Sequence, residues 1–194
     1  MPKFHELNGE PRVSVEPVLE PVTADEFRDA IRFSATELDA TIERNLTTAR
    51  RQLEIDSQLS VMTQTLVLRL DCFPCDGIEL RRCPVQSVTS ITYLDSAGAS
   101  QTLATTVYTT DIYSKPARIT LKYGQTWPAT YSQANVVTVT FVAGYGATVE
   151  TVPAEVKDAI IVKAATYFED VDRREQYEQS YMASRRYLDW AGYR

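Results

Sequence analysis

The chain changes from strand to helix at Val137-Thr138-Val139-Thr140-Phe141-Val142-Ala143-Gly144-Tyr145-Gly146, which is followed by Val152-Pro153-Ala154-Glu155-Val156. Val137, Val139 and Phe141 alternate along this run, so they share one face of a strand predicted at 136–142. The glycines at 144 and 146 let the backbone turn sharply out of a sheet. Pro153 then presets φ for a helix whose first turn carries an acid. A β region therefore ends here and a helix begins.

The region upstream of this boundary also has the two-residue period of strands. It is rich in β-branched and aromatic residues from about Ser60 onward, and Asp95-Ser96-Ala97-Gly98 is a typical turn. Short connections between consecutive strands favour antiparallel pairing. The predicted strands are Thr65–Leu70, Ile78–Leu80, Val88–Leu94, Ser100–Leu103, Val107–Thr110 and Arg118–Tyr123.

Helical signals lie on both sides of the β region. Residues 1–22 contain four prolines and suit an extended arm. Thr23-Ala24-Asp25-Glu26 is a capping box that predicts a helix over 24–33, and Ser34-Ala35-Thr36-Glu37 repeats the signal before a helix over 35–56. On the C-terminal side we expect a helix over 154–170, a polar hinge over 170–175 and a last helix over 175–190.

The predicted fold class is α+β. A small helical bundle, made of the N-terminal helices and two C-terminal helices, receives a central, mainly antiparallel β-sheet insertion. The predicted segments are 1–22 for the arm, 23–58 for the N-terminal helices, 60–146 for the β region and 152–194 for the C-terminal helices and tail. Together they would form one domain.

Composition and charge narrow the function classes. With 44% apolar and 24% charged residues, the chain is typical of a globular protein. No apolar run approaches a membrane span and the start lacks a signal-peptide core, so assembly in the cytoplasm is expected. The net charge of −6 argues against a protein that grips duplex DNA. The C-terminal segment 173–194 is the only part with a net positive charge, since it has five basic and three acidic side chains.

Catalytic and metal-binding patterns are weak in this sequence. The single histidine, His5, lies in the arm and cannot hold the geometry of a catalytic triad. Cys72, Cys75 and Cys83 lack a fourth zinc ligand, and the C-x-x-C motif lies in a turn between strands, so structural cysteines are expected. No phosphate-binding glycine loop is present. We therefore expect no catalytic, cofactor or metal site.

Several short sequence motifs occur in the order that is found in one protein family. The order and spacing agree over about residues 20–175. The chain resembles the head-tail connector proteins, also called adaptor or head-completion proteins, of tailed bacteriophages and gene transfer agents. Two of the matching motifs are the segments 137–146 and 152–156 quoted above, and the second of them continues through Lys157-Asp158-Ala159-Ile160. The others are Leu70-Asp71-Cys72-Phe73-Pro74, Ile78-Glu79-Leu80, Pro84-Val85-Gln86-Ser87-Val88-Thr89-Ser90-Ile91-Thr92-Tyr93-Leu94-Asp95-Ser96-Ala97-Gly98 and Trp127-Pro128.

The resemblance implies a structural virion protein and no enzyme or cofactor. Such proteins form a homo-oligomeric ring, typically twelve-fold, under the portal protein. The ring extends the channel through which genomic DNA passes without sequence-specific binding, and it offers a platform for stopper or tail-completion proteins. The implied location is the head-tail interface of a virion that is assembled in the host cytoplasm, with no membrane partner.

The resemblance also implies a role for the C-terminal segment, which in this family commonly reaches the portal. Tyrosine, tryptophan and arginine are frequent interface anchors. Deletion of residues 176–194 would then abolish docking and leave the fold. The alternative is that the amphipathic stripe of this helix packs on its own domain. The candidate portal or neighbour contacts are Tyr181, Arg185, Arg186, Tyr187, Trp190, Tyr193 and Arg194.

A second function class remains open from the sequence. Aromatic residues in the loops of an antiparallel sheet could bind a peptide or a carbohydrate, which would make the chain a non-enzymatic binding module. Oligomeric state distinguishes the two classes, because a binding module needs no closed ring. The aromatic residues concerned are Tyr108, Tyr113, Tyr123, Trp127 and Tyr131.

Overall fold

The computed structural model describes residues 9–33, 38–168 and 171–190. The chain divides into two compact units. The β unit contains Gln64–Gly144 and the segment that ends at Glu16, and the helical unit contains Pro17–Thr63 and the segment from Tyr145 onward. Each unit has its own apolar core. Within the described ranges, no helix has the length and apolar character that a membrane crossing requires.

The β unit contains two antiparallel sheets. One has five strands in the order β1-β2-β8-β4-β5, and the other has three in the order β3-β7-β6. The predicted strands and the α+β class are confirmed, while the structure adds a strand, β1, inside the segment predicted as an extended arm. The strands are β1 Arg12–Val15, β2 Gln64–Leu70, β3 Ile78–Leu80, β4 Val85–Leu94, β5 Ser100–Thr102, β6 Tyr108–Asp111, β7 Ala117–Leu121 and β8 Val137–Ala143.

The core of the β unit follows from the alternation that the sequence shows. Phe141 on β8 lies opposite Leu66 on β2 and Val88 on β4, and it is fully buried. Every second residue of β2 and β8 points into this core. Other members of the core are Leu68, Leu70, Ile78, Leu80, Ile91, Ile119, Val137 and Val139. The opposite face of the five-stranded sheet consequently carries the polar residues of these strands.

The helical unit contains four helices: α1 Ala24–Ile31, α2 Asp39–Asp56, α3 Ala154–Phe168 and α4 Val171–Trp190. The predicted capping box of α1 is present, because the Thr23 N–H donates to Glu26 Oε2 at 2.8 Å and the Glu26 N–H donates to Thr23 Oγ1 at 3.2 Å. The apolar core of the unit contains Phe27, Ile42, Leu46, Leu53, Val156, Ile160, Tyr181 and Leu188.

The helix boundaries differ from the prediction at three places. Helix α1 ends before Arg32, which adopts the left-handed conformation with φ of 57°. Helix α2 begins at Asp39, and the predicted cap at Ser34–Glu37 lies outside the described residues. The predicted hinge over 170–175 is wrong from Val171 onward, where α4 has already begun. Residues 173–176 are exposed good helix formers, so their polarity marks a solvated helix and not a break.

A buried ionic network holds the segment before α1 against α2. Arg50 on α2 is 2% exposed, and its guanidinium donates to both carboxylate oxygens of Glu20, from Nε at 2.7 Å and from Nη2 at 3.2 Å. The same guanidinium donates to Glu54, which is 1% exposed, at 3.2 Å. Glu54 also accepts the N–H of Val61 at 2.9 Å. These contacts satisfy the buried charges and order the segment around Glu20.

Candidate interaction surfaces

One face of α4 belongs to the core of the helical unit. Tyr181 is 2% exposed and Leu188 is 1% exposed. The Tyr181 hydroxyl donates to Asp56 Oδ2 at 2.9 Å, and Lys163 Nζ lies 4.7 Å from the centroid of the Tyr181 ring. Burial, followed by the nearby Asp56 carboxylate, raises the pKa of Tyr181 above its ordinary value. The stripe through Tyr181 and Leu188 thus packs on its own unit.

The opposite face of α4 is exposed. We define the α4 outer surface by Met182, Ala183, Arg186 and Tyr187, of which Met182 is 43% exposed and Tyr187 is 47% exposed. Two shallow depressions border these residues, with volumes of about 360 Å³ and about 290 Å³. Methionine, arginine and tyrosine are enriched in protein interfaces. The α4 outer surface therefore has the chemistry of a protein contact.

Acidic side chains of α3 lie beside this surface. Glu155 and Asp158 line the smaller depression together with Tyr187. The other depression is lined by Arg186, Met182 and Glu178, and Glu178 is paired with Lys163 at 3.2 Å. The surface thus offers apolar area flanked by charges of both signs, which gives a partner directional contacts.

The predicted contact residues fall into four groups, of which the last lies outside the described residues. Tyr181 is in the core, Arg185 is half-buried, and Arg186 and Tyr187 are exposed. The side chain of Trp190 and the residues Tyr193 and Arg194 lie outside the described part of the chain. Deletion of residues 176–194 would remove Tyr181 from the core as well as the exposed residues. Single substitutions on the α4 outer surface are therefore the better test of docking.

Four of the five predicted aromatics of the β unit do not form one surface. Tyr108 is 6% exposed, and Trp127 stacks on Phe73 with centroids 4.8 Å apart and planes 2° apart. Tyr113 and Tyr123 are almost fully exposed, but they follow β6 and β7, which pair antiparallel, and so lie at opposite ends of that hairpin. The sequence identified these aromatics but could not show that two of them pack inward.

The three cysteines are free thiols. Cys72 and Cys75 are exposed on the turn after β2, whereas Cys83 is buried, and burial raises the pKa of its thiol. In the part of the chain that the structure describes, no three or more histidine, cysteine, aspartate or glutamate side chains are grouped to hold a metal ion.

Comparison with known proteins gives similarity at the level of fold. No family model matches this chain, and no curated protein matches it either. Solved structures of particles contain chains that are similar to this one. Three of them are chains in structures of gene transfer agent particles.

Three of these structures show how far the similarity extends. A chain in the virion of a native gene transfer agent particle has a TM-score of 0.71 and 22% identity, over 84% of this chain and 86% of its own length. A chain in the neck of an empty particle, computed with C6 symmetry, has a TM-score of 0.71, 21% identity and coverages of 84% and 85%. A chain in the neck of a native particle, computed with C12 symmetry, has a TM-score of 0.67, 21% identity and the same coverages. This chain thus shares the fold of a gene transfer agent particle subunit.

Proposed function

We propose that this chain is a structural virion protein, a head-tail connector that forms a ring, twelve-fold by preference, under a portal protein. One observation carries the proposal: the fold corresponds to a gene transfer agent chain over 84% of this chain and 86% of that one, with a TM-score of 0.71. Neither the β unit nor the helical unit could supply that coverage alone. The correspondence therefore supports a shared role for the whole chain and not for one common motif.

Ring assembly is supported by the symmetry of the neck structures, which were computed with C6 and C12 symmetry. A closed ring is built from heterologous contacts, so each subunit needs two different surfaces that meet between neighbours. In the proposed role the ring extends the DNA channel of the particle. It also offers a platform on which stopper or tail-completion proteins dock.

The charge of the chain fits a passage for DNA and not a clamp. Strong binding to duplex DNA requires several lysine or arginine contacts to phosphates, whereas this chain has a net charge of −6. Genomic DNA would pass through the ring without sequence-specific binding. The proposed protein carries out no turnover, is located at the head-tail interface of the virion and is assembled in the host cytoplasm.

The α4 outer surface is the proposed contact with the portal or with a neighbouring subunit. It combines the exposed Arg186 and Tyr187 with the apolar side chain of Met182. Arg185, Trp190, Tyr193 and Arg194 belong to the same proposed contact region, whereas Tyr181 supports it from the core. Arginine and tyrosine side chains of this kind often dominate the binding energy of an interface.

The first experiment measures the mass of the purified protein, alone and mixed with a portal ring, by native mass spectrometry with negative-stain imaging. A large ring, or co-assembly only with the portal, is the expected result. A monomer or dimer that ignores the portal would refute the connector role and favour a binding module.

A second experiment tests the proposed contact itself. We expect the double substitution Arg186→Glu and Tyr187→Ala to weaken portal or neighbour binding by at least about ten-fold, because loss of a central arginine or tyrosine typically costs more than about 1.4 kcal/mol. Arg44→Glu, at an exposed position on α2, is the matched control and should bind normally. Unchanged binding of the double variant would rule out the α4 outer surface and leave the ring proposal intact.

A further inference from the structure

A cavity of about 540 Å³ lies at the edge of the five-stranded sheet, where residues of the paired strands β1 and β2 line it. Its lining includes Arg12 and Ser14 from β1, Val67 and Arg69 from β2, and Asn135 from the loop before β8. All of these residues belong to the β unit. The cavity shares no residue with the α4 outer surface.

The two arginines lie close together on one face of the sheet. Arg12 pairs directly with Val67 in the antiparallel ladder, and Arg69 lies two residues farther along β2. Residues two apart on a strand share a face, so Arg12 and Arg69 are diagonal neighbours, about 7–8 Å apart at the backbone. Their long side chains can therefore converge on one bound group.

Neither guanidinium forms a contact with the described residues that stabilises the fold. Arg12 and Arg69 are both exposed, and within the described part of the chain neither side chain forms a salt bridge or a hydrogen bond. Glu10 is the single carboxylate among the described residues that line the cavity, and it is paired with Arg81 at 3.1 Å. Two adjacent positive charges that form no ion pair of their own attract an anion, in a chain that is acidic as a whole.

Backbone features fix the shape of the cavity. A Cβ at Gly9 would lie 2.8 Å from the carbonyl oxygen of Arg69, so only glycine lets the chain run this close to the end of β2. Asn135 has φ of 58°, and its N–H donates to Asp71 Oδ1 at 2.7 Å. That bond holds the loop in place and keeps the Asp71 carboxylate engaged.

Neutral hydroxyl groups continue the same face of the sheet. On β8, Thr140 lies opposite Val67 and Thr138 lies opposite Arg69. On β4, Ser90 and Thr92 pair with these two threonines in turn. Arginine and hydroxyl side chains are among the groups that contact phosphate oxygens in protein–DNA complexes.

We propose that the cavity lined by β1 and β2 binds a phosphate group through Arg12 and Arg69. A guanidinium presents a planar fork of N–H donors that matches two oxygens of a phosphate, and two forks can hold one tetrahedral anion from two sides. The group can come from free inorganic phosphate or from the phosphodiester of a nucleic acid, which share this chemistry. The proposal does not depend on the connector role, because a single subunit contains the whole site.

Titration with inorganic phosphate, followed by amide chemical shifts in NMR, tests the site. We expect saturable shifts at residues 12–14, 67–69 and 135, with an affinity in the millimolar range. The double variant Arg12→Gln and Arg69→Gln should bind at least about ten-fold more weakly, whereas Arg118→Gln, an exposed arginine of the other sheet, should bind as the unchanged protein does. Amide shifts elsewhere in the double variant should stay unchanged, because both side chains are exposed.

Two further titrations identify the source and the chemistry of the ligand. A short DNA duplex that displaces phosphate in an arginine-dependent manner would identify a phosphodiester, and a duplex without effect would identify free phosphate. Acetate or a glutamate-rich peptide that binds as tightly as phosphate would overturn the proposal in favour of a carboxylate site. Phosphate shifts that do not saturate, or that persist in the double variant, would overturn it as well.

Discussion

In the helical unit a guanidinium lies in the core, whereas on the sheet face of the β unit two guanidiniums lie in solvent. Arg50 is 2% exposed and contacts Glu20 and Glu54. Arg12 and Arg69 are exposed and contact no described carboxylate. The same side chain thus serves the fold in one unit and remains available to a ligand in the other.

The difference indicates which kind of interaction stabilises each unit. A buried ion pair is satisfied only while both partners are present, since desolvation of an unpaired charge costs several kcal/mol. The β unit has an apolar core around Phe141, and hydrophobic burial needs no such partner. We therefore expect the helical unit to be sensitive to the loss of single charges and the sheet face of the β unit to tolerate it.

Replacement of the buried arginine is the strongest test of this comparison. Arg50→Met removes the guanidinium that neutralises Glu54, which is 1% exposed, and should lower the free energy of unfolding by about 3–5 kcal/mol. Arg12→Met makes the same change on the β unit and should alter it by no more than about 0.5 kcal/mol. Urea unfolding followed by far-UV circular dichroism measures both. Equal effects of the two substitutions would show that the two units do not differ in their sensitivity to the loss of a charge.

The strands were predictable from the sequence because the pattern that identifies a strand is contained in a few consecutive residues. Alternation in Val137–Ala143 and the β-branched residues of Val85–Leu94 are visible within a few positions. Strand β1 and the division into two sheets were not predictable, because the sheet and the partner that a strand joins depend on residues far away in the chain. Arg12 and Val67 form such a distant pair.

The candidate surfaces were predictable only in part for the same reason. Periodicity correctly placed Tyr181 and Leu188 on one stripe of α4, but it could not say that this stripe faces the core. The predicted contact set therefore combined the core residue Tyr181 with the exposed Arg186. The cavity with Arg12 and Arg69 has no local signal, since neither arginine belongs to a motif.

A tyrosine provides a second and smaller test of the helical unit. Tyr181→Phe removes the hydrogen bond to Asp56 and should lower the free energy of unfolding at neutral pH by about 1 kcal/mol. This difference between the two proteins is expected to shrink as the pH rises above 10. Burial and the Asp56 carboxylate raise the pKa of Tyr181 above its ordinary value of 10.0, so the folded state keeps a proton that the unfolded state releases.

The sign of the pH effect follows from this proton. The contribution of Tyr181 is fully present below pH 10 and is lost as the pH rises toward the raised pKa of the folded state. The unchanged protein should therefore lose stability above this pH more steeply than Tyr181→Phe, by up to about 1.4 kcal/mol per pH unit. Urea unfolding at a series of alkaline pH values measures the two slopes. Parallel slopes would show that Tyr181 titrates as it does in the unfolded chain.

The smallest effect is expected at a carboxylate on the surface of the β unit. Asp95, in the turn between β4 and β5, accepts hydrogen bonds from Gln101 Nε2 at 2.9 Å and from the N–H groups of Ala97 and Ala99 at 2.9 and 3.0 Å. The bond from Gln101, followed by the backbone bonds, lowers the pKa of Asp95 below its ordinary value of 3.8. The contribution of Asp95 to stability is present above that value and is lost as the pH falls through the lowered pKa.

Two NMR measurements test the role of Asp95. Carboxyl carbon shifts should show the low pKa, and Asp95→Asn should raise amide hydrogen exchange only in the turn and in β5. Faster exchange throughout the β unit would show that this unit, like the helical one, depends on a single charge.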